Sequence, residues 1–86
     1  MALLIQRKAA KELAGVPREE WERLRERLES IARNPRARHP GVELLTGRDR
    51  EYRVRQGNWR AIYTVTDKGD VEVIHVRHRR EVYRTP

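Results

Sequence analysis

The stretch from Tyr52 to Tyr63, Y-R-V-R-Q-G-N-W-R-A-I-Y, constrains the fold more than any other part of this chain. Tyr52, Val54, Trp59, Ala61 and Tyr63 alternate with Arg53, Arg55 and Arg60, which is the period of a strand with two unlike faces. Gly57-Asn58 sits where a two-residue hairpin loop belongs. With that loop, Gln56 faces Trp59, Arg55 faces Arg60, Val54 faces Ala61 and Arg53 faces Ile62. Directly opposed residues share a face, and so do residues two apart on one strand. Arg53, Arg55 and Arg60 therefore project from one side of the sheet. Tyr52, Val54, Trp59, Ala61, Tyr63 and Val65 project from the other, the expected core side. Like charges placed opposite each other weaken a sheet. Arginines gathered on one face point to a polyanion that offsets them.

The rest of the chain supplies what covers the core side. Ala2 to Gln6 alternates Leu3 and Ile5 and reads as a short strand. Arg7 to Ala14 reads as a short helix with Gly15 as its stop. Pro17 suits the first turn of a second helix. From Arg18 to about Arg33, Trp21, Leu24, Leu28 and Ile31 recur at helical spacing and form one apolar stripe. The intervening charges alternate in sign, as on a solvated helix face; Glu19 with Arg23 and Glu22 with Arg25 are suitably spaced pairs. Asn34-Pro35 ends the helix. Arg36 to Gly47 has no clear period, and Val42, Leu44 and Leu45 are expected to anchor it to the core. T-D-K-G-D at 66–70 is a second turn, and Val71 to Val76 a further strand. If Thr66 faces Val71, then Tyr63 faces Ile74, Ile62 faces His75 and Arg60 faces Arg77. That register adds His75 and Arg77 to the basic face, sends Ile74 and Val76 to the core, and leaves Glu72 on the side away from Arg77. A three-residue loop would reverse the assignment. The expectation is an α+β domain spanning residues 1–86, with two N-terminal helices packed on an antiparallel β-sheet in the order β-α-α-β-β-β.

Composition narrows the function. Eighty-six residues with a formal charge of +7 and a pI near 10.8 favour nucleic acid or an acidic protein as partner. A charge-rich thermostable surface would produce a similar composition. The chain contains no cysteine, which excludes disulfides and thiolate metal sites and fits a reducing cytoplasm. No apolar run is long enough to span a membrane, and M-A-L-L-I-Q-R-K is too short and too early charged for a signal peptide. No Gly-rich phosphate loop or H-E-x-x-H motif is present, and His39, His75 and His78 lack metal-site spacing, so no metal or cofactor is expected. What remains is an arginine surface with aromatics. Arginine binds phosphate bidentately and stacks on bases. RNA also carries its own nucleophile, the 2′-hydroxyl, so a site that only positions it and stabilises charge suffices for cleavage. The residues alone leave phosphate binding and cleavage both open.

Several blocks in order then resemble a known family. R-K-A-A-K-E-L and V-P-R-E-E-W-E-R-L are followed by L-L-T-G-R-D-R-E-Y-R-V-R-Q-G-N-W-R-A-I-Y and V-I-H-V-R-H-R-R-E-V-Y-R. Their order and spacing resemble toxins of the RelE/ParE superfamily from toxin–antitoxin systems, most closely the RelE-like mRNA interferases. The resemblance implies a ribosome-dependent endoribonuclease that cleaves mRNA in the A site through the RNA's own 2′-hydroxyl. It implies a cognate antitoxin, expected to be acidic, and a toxin–antitoxin hetero-oligomer in the cytoplasm. Carried over by position, the catalytic residues are Arg53, Arg55, Arg60, Arg79 and Tyr83, with Arg77, His75, His78 and Arg80 as RNA contacts. Matching V-x-H-R selects Arg79 at the C-terminal position, whereas counting back from E-V-Y selects Arg77. RelE carries lysines where Arg53 and Arg55 stand. Arginine does not give up its proton, so Arg53 is a clamp on phosphate rather than a base. His75 and His78 are the nearby side chains with a suitable unperturbed pKa. The same fold also serves ParE-like inhibitors of DNA gyrase and non-catalytic RNA-binding members, which stand as alternatives.

Overall fold

A computed structural model of the chain describes residues 2–45 and 51–80. Strand β1 (Leu3–Ile5) leads into helix α1 (Arg7–Leu13) and helix α2 (Arg18–Arg33), and strands β2 (Val42–Leu44), β3 (Glu51–Gln56), β4 (Trp59–Val65) and β5 (Val71–His78) follow. The strands form one sheet in the order β1-β5-β4-β3-β2. The expected two-layer α+β fold is present, with one strand more than expected and a sheet that is mixed rather than antiparallel throughout. β2 extends the meander antiparallel to β3, and β1 joins the far edge parallel to β5. β2 lies within a stretch, 36–47, that shows no clear period around its three residues.

Helix α2 begins straight after Pro17, whose carbonyl accepts the Trp21 N–H. Glu19 and Glu20 occupy its first turn and Arg33 its last, complementing the helix dipole. Ion pairs Arg18–Glu22, Arg23–Glu20 and Arg25–Glu29 line its solvent side. The apolar stripe does as the spacing requires: Leu24, Leu28 and Ile31 are buried, and Trp21 packs at the margin. They meet Val54, Ala61, Tyr63, Val71, Val73 and Val76 of the sheet. Burial of such side chains is worth roughly 1.5–3 kcal/mol each, and supplies most of the drive to fold. Leu44 departs from expectation: it is 61% exposed and anchors nothing among the described residues, because it lies on the outermost strand beyond the reach of α2.

The β3–β4 register is the one the two-residue loop requires, from Gln56↔Trp59 to Glu51↔Thr64, with Gly57 at φ +60°. The β4–β5 register holds two compensating deviations. The 66–70 turn closes by Thr66 N–H to Asp70 O and Asp70 N–H to Thr66 Oγ1, so Val65, not Thr66, faces Val71. A bulge between Ile62 and Tyr63 then restores the count, and Ile62↔His75 and Arg60↔Arg77 pair as expected. Between these points the assignment changes. Tyr63 faces Val73, so Val71 and Val73 fill the core, Ile74 is the extra residue and is only half-buried, and Glu72 pairs with Thr64 on the arginine side.

Candidate nucleic-acid interface

The register sorts the uncovered face into rows that run across the strands. Nearest the β3–β4 turn, Arg55, Arg60 and Arg77 stand side by side on β3, β4 and β5. The next row is Glu43, Arg53, Ile62 and His75. The row after that is Glu51, Thr64 and Glu72. The sheet therefore gathers Arg53, Arg55, Arg60, Arg77 and His75 on one surface.

These cations differ in what holds them. Arg60 is 7% exposed, and its Nη1 donates to the carbonyls of Gly57 and Trp59 at 3.0 Å each. The turn carbonyls thus hold a guanidinium that lies between two other arginines. Arg53 donates from Nη2 to Glu43 Oε1 at 2.6 Å, and its Nε is buried with no partner among the described residues. The Arg53 guanidinium, by hydrogen bond and by charge, holds the Glu43 carboxyl below the usual carboxylate range. Arg55 and Arg60 pull it the same way, so their charge is felt at the sheet edge. Arg55 is exposed, and its side chain has no ion pair among the described residues. Arg77 donates from Nε to Glu12 Oε2 of α1 at 3.1 Å.

His75 is half-buried. Burial, then the charges of Arg77 and Lys8, push its imidazole below 6.5, against the opposing pull of Glu12. The balance favours the neutral ring. Its Nδ1 lies 3.5 Å from Glu12 Oε1, buried and without a hydrogen bond.

The structure separates the remaining candidates from this group. His78 pairs with Trp59 and meets its indole edge-on, ring centroids 5.2 Å apart, so it stands on the opposite face. Its Nδ1 accepts the backbone N–H of Arg80. Arg79 and Arg80 are exposed just beyond β5, beside the β3–β4 turn, where the Arg79 N–H donates to Asn58 O at 2.7 Å. With Asn58 and His78 they line a shallow hollow of about 470 Å³. Tyr83 lies outside the described residues. A concavity of about 710 Å³ lies on the helix side beyond the end of α2, between Pro35, Val42, Tyr52 and Val65. It is away from the arginine rows and has no part in their chemistry. No group of side chains suited to a metal ion occurs among the described residues.

Sequence reasoning missed the acids. Glu43 stands on an edge strand whose only signal is the brief alternation V-E-L, and Glu12 reaches β5 from a helix 64 residues earlier. Local pattern carries no trace of such a contact.

The same fold occurs in solved toxins. The RelE–RelB antitoxin–toxin complex from Methanococcus jannaschii matches with a TM-score of 0.79 at 22% identity, covering 96% of this chain and 99% of that one. The isolated E. coli RelE toxin matches at 0.76 with 28% identity over 95% and 89% of the two chains, and the intact E. coli RelBE toxin–antitoxin complex at 0.75 with 25% identity over 90% and 94%. A comparison with curated protein sequences gives no match. The family model describing the ParE toxin of the type II toxin–antitoxin system parDE matches residues 3–83. The chain belongs to this toxin family, within the RelE/ParE superfamily.

Proposed function

We propose that this toxin acts on mRNA, as a RelE-like endoribonuclease that cuts in the ribosomal A site. The observation that carries the reading is the row Arg55–Arg60–Arg77, with Arg53 and His75 in the row beside it. A phosphodiester on this surface meets several guanidinium groups at the place where charge grows during cleavage. In the proposed step the RNA 2′-oxygen bonds to phosphorus, the bond from phosphorus to the 5′-oxygen breaks, and a cyclic phosphate forms. Arg55 and Arg60 stabilise the charge on the phosphorane-like transition state. Arg53 positions the phosphate after Glu43 gives way. The arginines cannot take the 2′-hydroxyl proton; His75, in the adjacent row, is assigned that role. Arg79 stabilises the charge on the leaving 5′-oxygen, which takes its proton from water, and Tyr83 holds the base. In this reading a cognate antitoxin with an acidic segment neutralises the basic surface in a hetero-oligomer in the cytoplasm, as RelB accompanies RelE in the solved complexes.

A second reading is a ParE-like inhibitor of DNA gyrase, favoured by the family match itself and by arginines where RelE has lysines. Primer extension on an mRNA under translation tests the choice. Wild-type protein should produce ribosome-dependent cuts that Arg55→Ala weakens at least tenfold. Intact mRNA together with inhibited supercoiling by gyrase would overturn the nuclease reading.

A further inference from the structure

Glu12 has no part in the chemistry described so far, yet it touches three groups of β5. Strand β1 covers only Val71 to Val73 of that strand's outer edge, so the Val76 N–H has no strand partner there. Glu12 Oε1 accepts it at 3.0 Å, while Oε2 accepts Arg77 Nε at 3.1 Å and Oε1 lies 3.5 Å from His75 Nδ1. The side chain is about one quarter exposed.

This geometry fixes directions. The backbone bond holds Oε1 to the strand, so the carboxylate plane cannot turn without breaking it. Oε2 is then a fixed acceptor for Nε. A guanidinium is a rigid planar fork, so fixing Nε also fixes where both Nη groups point. Neither Nη of Arg77 is hydrogen-bonded within the described residues, and Arg77 stands directly opposite Arg60. We propose that Glu12 is a positioning residue of the arginine face, clamping Arg77 by Nε so that its Nη edge is presented to a phosphate beside Arg55 and Arg60. This role rests on the RNA-binding reading above.

Glu12→Gln isolates the effect. The amide oxygen still satisfies the Val76 N–H, but the amide nitrogen, itself a donor, then faces the Arg77 Nε–H. The variant keeps the staple to the strand and releases the arginine. It also raises the formal charge from +7 to +8. The two explanations therefore predict opposite signs. If Glu12 merely dilutes positive charge, E12Q binds RNA more tightly. If it positions Arg77, E12Q binds more weakly, by roughly three- to tenfold as for coupled neighbours.

The experiment measures binding of the full chain to a fluorescent single-stranded RNA oligonucleotide at two salt concentrations. It uses wild type, E12Q, Arg77→Ala and the double variant, with thermal unfolding as the check on folding. The expected result is a loss in E12Q that disappears in the Arg77→Ala background, together with loss of a protected Arg77 Nε–H resonance. Equal or tighter binding by E12Q, or the same loss in both backgrounds, overturns the proposal. Failure of the wild type itself to bind RNA would instead overturn the function on which it rests.

Discussion

Arg55 and Arg60 stand directly opposite each other across β3 and β4, yet their side chains are held in opposite ways. Arg60 turns back onto the carbonyls of Gly57 and Trp59 and is buried, whereas Arg55 extends into solvent. The pair divides one row of charge into a member anchored by the turn and a member extended into solvent.

Substitution should separate these roles. Arg55→Ala should leave stability within about 0.5 kcal/mol, as exposed positions do. It should still weaken RNA binding and reduce the slope of log affinity against log salt by about one. Arg60→Ala should cost about 1.5–3 kcal/mol, the range for hydrogen bonds to charged groups, because it strips a buried guanidinium from the turn. Denaturant titration and binding at several salt concentrations check both.

Gly41 holds the start of β2 in place. Its φ is +73°, and a β-carbon there would come within 3.0 Å of Arg27 Nη2. Arg27 in turn donates to the carbonyls of Pro40 and Arg55, tying α2 to β2 and β3. Gly41→Ala should cost about 1–2 kcal/mol for the left-handed backbone, plus the disturbance of Arg27. Faster amide exchange at Val42 and Glu43 should accompany the lower melting temperature. An unchanged exchange pattern would show that Arg27 does not restrain β2.

His75 makes stability depend on pH in a definite direction. Its pKa in the folded state lies below the value of 6.5 expected of the unfolded chain. Between those two values the unfolded chain binds more protons, so stability rises with pH across that window. The contribution is complete above about pH 6.5 and is lost as pH falls towards the folded value. Melting curves from pH 7.5 to 5 should show the decline, and His75→Asn should flatten it. An NMR titration of His75 with a midpoint at or above 6.5 would contradict the burial argument.

The parts of this fold that were legible in the sequence are those set by short-range periodicity. Trp21, Leu24, Leu28 and Ile31 repeat at helical spacing and define α2, and Gly57-Asn58 sets the register of every pair from Gln56↔Trp59 to Arg53↔Ile62. The arginine face follows from that register by counting. The β4–β5 assignment succeeded at His75 and Arg77 only because a one-residue misplacement at the 66–70 turn and a one-residue bulge cancel. Between them it failed, at Ile74 and Glu72, since a bulge leaves no local mark in sequence. The carboxylates were illegible for another reason. Glu12 meets Arg77 through tertiary packing, and Glu43 meets Arg53 through a strand set in a stretch without clear period.

The rows across the sheet give this surface a direction. Moving along any strand from the β3–β4 turn, a visitor passes from guanidinium groups to a mixed row and then to Glu51 and Glu72. A chain of phosphates laid lengthwise on the strands would run from attraction into repulsion within a few residues. Laid crosswise, it passes Arg55, Arg60 and Arg77 on adjacent strands and stays clear of the acidic row. The bulge at Ile62/Tyr63, by turning Glu72 to this side, therefore does more than repair a count. It sets an acidic fence across the sheet, at right angles to the strands and two rows from the arginines.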